Sequence, residues 1–382
     1  MITRRKALIG MVGALGAAGA ALSFKEAPIM TLKRDLDILN ACVGRHGLWA
    51  APARYDHQCW TRDFALALLP VAHHLRGGRR AAENHLLTLA RLQRADGSIP
   101  ILFLDGLWGH AAFLWSKGLK SLKSGKPSFL LKRYLAGELD RATPGTRDSE
   151  LLFIYASQHP AMAHLQDRVA PAVAAAFAYI EKNLLGPDGL LLSCDWRDTM
   201  DQQLGRQPLL TNNALWFKVL KTAGRHEQAA KVAAAIQART GGLLADYPGA
   251  PRPDPFGIAL GVLTGLIPPF WYTAALLAMG SCDSPCGVTI QCKHNVYGAE
   301  EAEVIERTQG VVVWPFVVGY VVKACRMMAA AGLPEARTFG LAQQEKLRLI
   351  GHAEWYDPST GKGYGSPVQG WTAALRLDVL GS

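Results

Sequence analysis

The chain has 382 residues, of which 49% are apolar and 19% charged, and a formal net charge of +10. So much apolar material excludes an intrinsically disordered chain and suffices for a large core, in one closed domain or in two or three. The basic excess suits anionic polymers or headgroups, but aromatic residues do not alternate with the basic ones, so a nucleic-acid stacking platform is not expected.

The first predicted element is a leader. "MITRRKALIGMVGALGAAGAALSFKEAP" has a basic start (Arg4, Arg5, Lys6), an apolar Gly/Ala-rich middle and small residues around Ser23, which are the three parts of an export signal. "TRRKAL" resembles the twin-arginine pattern. The expectation is a twin-arginine type signal over 1–23, a single domain over 30–382, and a periplasmic or secreted protein. An uncleaved N-terminal membrane anchor is the alternative, although so much Gly and Ala makes a weak span. No integral span is expected once the signal is removed.

Apolar residues then recur at helical spacing over 59–76, 80–94, 147–158, 166–184, 211–223, 226–240, 311–331, 337–349 and 370–380, while alternating strands are scarce. Connectors such as "RADGSIP", "LLGPDGL" and "YPGAPRPDP" carry the Gly, Pro and Asp that stop helices. The pattern predicts about ten to twelve helices paired as hairpins. The basic stretches at 76–80 and 117–133 read as exposed loop. The uncharged run at 256–280 has Pro268 and Pro269 at its middle, which predicts two buried helices joined by a turn rather than a membrane span.

Cysteine is present in an odd number, seven, and "SCDSPCGVTIQCKH" gathers Cys282, Cys286, Cys292 and His294. That spacing is not the paired C-x-x-C of a structural zinc site, so no metal is expected. In an exported chain a Cys282–Cys286 disulfide is expected, with the other four cysteines as small core residues.

Four stretches carry chemistry. "YDHQCWTRDFALAL" (55–68) sets Trp60, Arg62 and Asp63 at a helix entrance, where a guanidinium fork and a carboxylate can hold vicinal hydroxyls and the indole can cover sugar C–H groups. A local Arg–Asp pair on the helix dipole is the plain alternative. "TRDSELLFIYA" (146–156) offers Asp148 and Ser149, equally suited to an N-cap. "SCDWRDTM" (193–200) places Asp195 and Asp198 around Trp196 and Arg197. A carboxyl shielded beside an indole keeps its proton to higher pH, as a general acid must. "HAEWYDPSTGKGYGSPVQGWTAALRL" (352–377) holds Glu354, a Gly-rich loop, then Gln369, Trp371 and Thr372 at a helix start.

These stretches resemble motifs of the six-hairpin glycosidases. The first is similar to the Trp-x-Arg-Asp entrance of glucoamylases and the Arg-Asp of neutral invertases; the second is similar to an invertase Asp-Ser. In the third, "WRDT" before "TNNALWFKVL" resembles the catalytic-Asp segment of debranching enzymes and neutral invertases. The last resembles the C-terminal signature of trehalases and processing α-glucosidases. "VVVWPFVVGYVVKA", with Trp314, looks like an inner helix of the same superfamily.

The resemblance implies an all-α (α/α)6 toroid and an inverting hydrolase of α-glucosides or sucrose. It makes Asp198 the general acid, with Asp195 the alternative, and Glu354 the general base. Trp60, Arg62, Asp63, Asp148, Trp196, Trp314, Gln369 and Trp371 would bind the sugar, with no metal or organic cofactor. The chain is short for these families, with no room for an accessory β-domain. Two other readings stand beside it: a polysaccharide lyase on a uronic-acid polymer, with Tyr55 or His57 as base, and a non-catalytic carbohydrate-binding envelope protein.

Overall fold

The computed structural model describes residues 32–124, 148–193, 207–238, 244–246, 253–291 and 310–381. Helix α1 spans Leu32–Ala41, and the short strand β1, Gln58–Trp60, leads into α2. Helix α2 opens on Thr61–Asp63, passes through a π turn at Phe64–Leu68, and ends in Leu69–Val71 and a 3-10 turn at Ala72–His74. Then follow α3 (Gly78–Leu92), β2 (Leu102–Leu104), α4 (Gly106–Ser124), α5 (Ser149–Ser157), α6 (Gln166–Asn183), α7 (Leu210–Thr222) and α8 (His226–Gln237). The remaining elements are α9 (Pro255–Thr264), α10 (Tyr272–Gly280), α11 (Pro315–Ala330), α12 (Pro334–Leu349), β3 (Trp355–Tyr356), β4 (Gly363–Tyr364) and α13 (Gly370–Leu380).

Burial sorts the helices into two layers. Almost every residue of α5, α7, α9 and α13 is buried, as an apolar or small-residue helix surrounded on all sides must be. In α12 only Ala336, Gly340, Gln343 and Leu347 are buried, and in α8 only Ala229, Val232 and Ile236. Those spacings of three and four mark a single inward stripe on an outer helix. The inner helices contact one another in the cyclic order α2, α5, α7, α9, α11, α13 and back to α2, and each of α3, α6, α8, α10 and α12 returns the chain on the outside. The described helices therefore form an (α/α)6 toroid, with α1 completing the outer layer against α13.

Phe64, Phe153, Phe256 and Phe316, one from each of four inner helices, are among the largest fully buried side chains; Phe256 meets Phe316 edge to face, and Phe64 stacks on His85 of the outer helix α3. The Tyr320 hydroxyl of α11 donates to the Leu66 carbonyl in the π turn of α2 at 2.6 Å. Helices α11 and α2 are not neighbours in the ring, so this bond runs through its interior. Closure of the ring uses charge as well. Asp35 of α1 accepts from Arg376 Nε of α13 at 3.0 Å and pairs with His352 Nε2 at 2.5 Å, all three side chains being buried.

Helix limits follow local signals. Asp254 caps α9 by accepting from the Phe256 N–H at 3.0 Å, Pro255 fits the first turn, and Gly265 ends the helix at φ +79°. The 256–280 run is thus two helices, as expected from its prolines, and among the described residues no helix is long and apolar enough to cross a membrane.

Two expectations are corrected. Residues 117–124 are not loop: they continue α4, since Leu and Lys propagate a helix that the Gly residues only weaken. Cys282 is disulfide-bonded, but Cys286 is a free, buried thiol. Cys286 packs with Val313, Val318 and Val322 in an apolar cluster, so it behaves as a core residue and the Cys282–Cys286 pairing does not form. Cys42, Cys59 and Cys325 are free and buried as expected. Cys194, Cys292 and His294 lie outside the described residues.

Candidate active site

Because outer helices return the chain after each inner one, all the inner helices run in the same direction and their N-termini share one end of the toroid. Trp60, Arg62, Asp63, Asp148, Trp314, Gln369 and Trp371 all sit at or beside those N-termini. The partial positive charges of the helix ends converge there and favour carboxylates.

Glu354 lies in the loop between α12 and α13, which reaches the same end. Its N–H donates to the Ser366 carbonyl at 2.9 Å, and the Ser366 N–H donates to Glu354 Oε2 at 2.7 Å. The Tyr55 hydroxyl donates to Oε1 at 3.2 Å, and Arg54 Nη1 stands 3.7 Å from Oε2. The carboxylate keeps 12% of its surface open. Gly365, at φ +78°, allows this close approach, because a Cβ there would lie 2.4 Å from Glu354 Oε2. Two bonds moor the loop to α13: Gln369 N–H to the His352 carbonyl at 2.8 Å, and Thr372 Oγ1 to the Ala353 carbonyl at 3.2 Å.

From α13, Gln369 Nε2 reaches Asp63 Oδ1 at 3.4 Å. Trp371 stacks on Phe316 and meets Trp314 edge to face, with ring centres 4.4 and 5.2 Å away. Trp60 meets the Tyr55 ring edge to face at 6.3 Å. The fold thus brings Trp60, Asp63, Trp314, Glu354, Gln369 and Trp371 together from three separate stretches. Gln369 Oε1, Trp371 Nε1 and His57 Nδ1 are buried without a hydrogen-bond partner, an arrangement that costs stability unless a ligand or water supplies the bond.

Arg62 is engaged within the protein. Its Nε and Nη2 grip the two oxygens of Asp148 at 3.0 and 2.9 Å, in a fork that is almost wholly buried. Asp148 occupies the N-cap position of α5 but makes no capping bond. The pair ties α2 to α5 and orients the neighbouring Asp63.

Asp195, Trp196 and Asp198 lie outside the described residues. The chain enters their segment at Ser193, whose hydroxyl accepts from Asn212 Nδ2 of α7 at 2.9 Å. It leaves at Gln207, just before α7, at the end of the ring where Glu354 stands.

Burial and the adjacent Glu354 push the Tyr55 hydroxyl well above its ordinary range, so it stays protonated and donates. Glu150, in the first turn of α5, is pushed up to about 7 by burial, and it accepts from the Ile99 N–H at 2.9 Å. Ser366 and Glu150 were not singled out from the sequence. Glu150 follows the flagged Asp148-Ser149 directly, a signal that could have found it, whereas nothing local marks Ser366 as a partner of Glu354. Among the described residues no group of three or more His, Cys, Asp or Glu side chains is placed to hold a metal ion.

No protein-family model and no curated protein matches the chain. Solved structures do. The family GH63 mannosylglycerate hydrolase of Thermus thermophilus, in complex with glucose, superposes with a TM-score of 0.61 at 16% identity, over 92% of this chain and 100% of that one. A glycosidase E335A variant in complex with glucose gives 0.59 at 14% identity, over 92% and 96%. An uncharacterized conserved protein, also from Thermus thermophilus, gives 0.58 at 15%, over 93% and 100%. These chains are covered almost end to end. The chain has the (α/α)6 fold of the six-hairpin glycosidases.

Proposed function

We propose that the protein is an inverting glycoside hydrolase acting on an α-glucosidic or sucrose-type bond of an oligosaccharide. The observation that carries this reading is the setting of Glu354: a nearly buried carboxylate, held by Tyr55 and Ser366, beside the aromatic and polar groups of Trp60, Asp63, Gln369 and Trp371. Tyr55 and Ser366 donate to the two Glu354 oxygens and fix their position, as a general base that activates water requires. Asp198 is the proposed general acid and Asp195 its alternative; inversion requires the two carboxyl groups roughly 6.5–9.5 Å apart. Trp60, Trp196, Trp314 and Trp371 would cover sugar faces, and Asp63 and Gln369 would bind hydroxyls, with Arg62 and Asp148 positioning Asp63. Similarity to glucose-bound glycosidases supports a sugar at this end.

The lyase reading is less well supported. A lyase base must give up its proton, and Tyr55 is held protonated by burial and by its bond to Glu354. Export through a twin-arginine signal remains part of the proposal.

The decisive experiment measures sugar release from trehalose, malto- and isomalto-oligosaccharides and sucrose, with anomeric configuration followed by NMR. The wild type is expected to release the inverted anomer. Glu354→Gln and Asp198→Asn are expected to lose about 10²–10⁴-fold in kcat while staying folded. Full activity in Glu354→Gln overturns the proposal. Loss in Asp195→Asn with Asp198→Asn active moves the acid to Asp195.

A further inference from the structure

Outside the Glu354 site, a half-open cleft of about 520 Å³ lies between the 43–46 loop, one face of α3 from its N-cap Gly77 to Arg91 in its last turn, and Arg168 of α6. Four arginines line it: Arg45, Arg80, Arg91 and Arg168. No carboxylate is among the lining residues, and none of the four forms an ion pair with a described carboxylate. The one side-chain bond given to them among the described residues is Arg91 Nη2 to Thr88 Oγ1, long at 3.4 Å. Four arginines elsewhere are paired, Arg62 with Asp148, Arg225 with Glu181, Arg348 with Glu345 and Arg376 with Asp35. The four arginines of the cleft are all exposed, so solvent screens much of their mutual repulsion, but together they give the hollow a positive field that a counter-charge would neutralise.

The floor adds to the field. Gly77 lines the cleft at the N-cap of the 15-residue helix α3 and supplies no capping side chain, so the helix end contributes partial positive charge and unused N–H groups. His46 also lines the cleft, and its partner Asp105 is already engaged. Asp105 accepts from Arg45 N–H at 2.9 Å and Trp49 Nε1 at 2.8 Å, and pairs with His46 Nδ1 at 2.7 Å.

We infer that this cleft is a binding site for a small molecule carrying two or more phosphate or sulfate groups. Guanidinium forks match the geometry of such oxyanions, four cations exceed the charge of one phosphate, and the volume suits a ligand of saccharide-phosphate size. The inference rests on residues outside the Glu354 site and stands whether or not the protein is a hydrolase.

Titration calorimetry of the full chain at low salt tests it, with fructose 1,6-bisphosphate as the probe, sucrose as the neutral control, and phosphatidylglycerol vesicles as a lipid source of the same chemistry. Saturable binding of the bisphosphate, absent for sucrose, is expected. The Arg80→Gln/Arg168→Gln double variant should weaken it at least about tenfold. An Arg225→Gln/Arg337→Gln variant, which removes the same charge elsewhere, should leave it within about twofold of wild type, since distant exposed charges are screened. Equal weakening in both double variants, no saturable binding, or binding to vesicles alone would overturn the site.

Discussion

Asp35 and Glu354 both brace the loop between α12 and α13, one from inside the protein and one from the open end of the ring. Asp35 is fully buried against Arg376 and His352, and Arg376 also donates to the Leu347 and Ile350 carbonyls. Glu354 has neutral donors, Tyr55 and Ser366, and a more distant Arg54 that is 44% exposed. A carboxylate matched with a buried cation is committed to holding chain segments together. One held mainly by neutral donors at an opening stays reachable by solvent, as the role proposed for Glu354 requires.

The largest expected effect tests the strut. Asp35→Ala leaves Arg376 buried without its counter-charge and should cost about 3–5 kcal/mol in urea unfolding; an unchanged midpoint would remove Asp35 from ring closure.

Glu150 sharpens the contrast from a third position, being as buried as Asp35 but with Asp148 and Asp96, rather than any cation, among the charges that shift it. In the unfolded chain this acid ionises near 4.5, whereas the folded protein holds the proton to about 7. Its contribution to stability is therefore greatest at low pH and is lost as pH rises between those values. Glu150→Gln keeps an acceptor for the Ile99 N–H and should flatten that part of the profile. Its advantage over wild type should grow to at most about 3 kcal/mol above pH 7. Parallel pH–stability curves would show that Glu150 ionises as an ordinary surface acid.

The smallest effect belongs to Tyr55→Phe, which removes a single neutral donor from Glu354. A loss of about 1 kcal/mol, roughly fivefold in kcat/KM, is expected with little change in unfolding. A shift of the basic side of the pH–rate profile, with no rate loss at the optimum, would instead make Tyr55 the titrating group.

Much of the ring was legible because each hairpin is local. The stripe of α12 and the unbroken apolar run Leu151–Ile154 of α5 state their layers through sequence pattern alone. Helices α1 and α4 were not legible: α1 is a polar helix defined by its docking on α13, and the Gly-Lys run of α4 looks like a turn. At the site, the "Glu-x-Tyr-Asp" and "Gln-Gly-Trp-Thr" segments identified Glu354, Gln369 and Trp371 as candidates. The partners of those residues were out of reach, since Tyr55 and Glu354 are 299 positions apart and Arg62 and Asp148 are 86 apart. Asp148 shows the consequence: a cap and a fork acceptor look alike in sequence, and only the arrival of Arg62 decides between them.

By itself the sequence determined the helices, their inward faces and the residue types able to handle a glycoside, because periodicity and side-chain chemistry are properties of short stretches. Tertiary structure alone decided that the inner helix starts meet at one end, that Cys286 stays a free thiol, and which acids are struts and which stand open. Those outcomes depend on burial and on partners supplied by distant segments, and both exist only once the ring has closed.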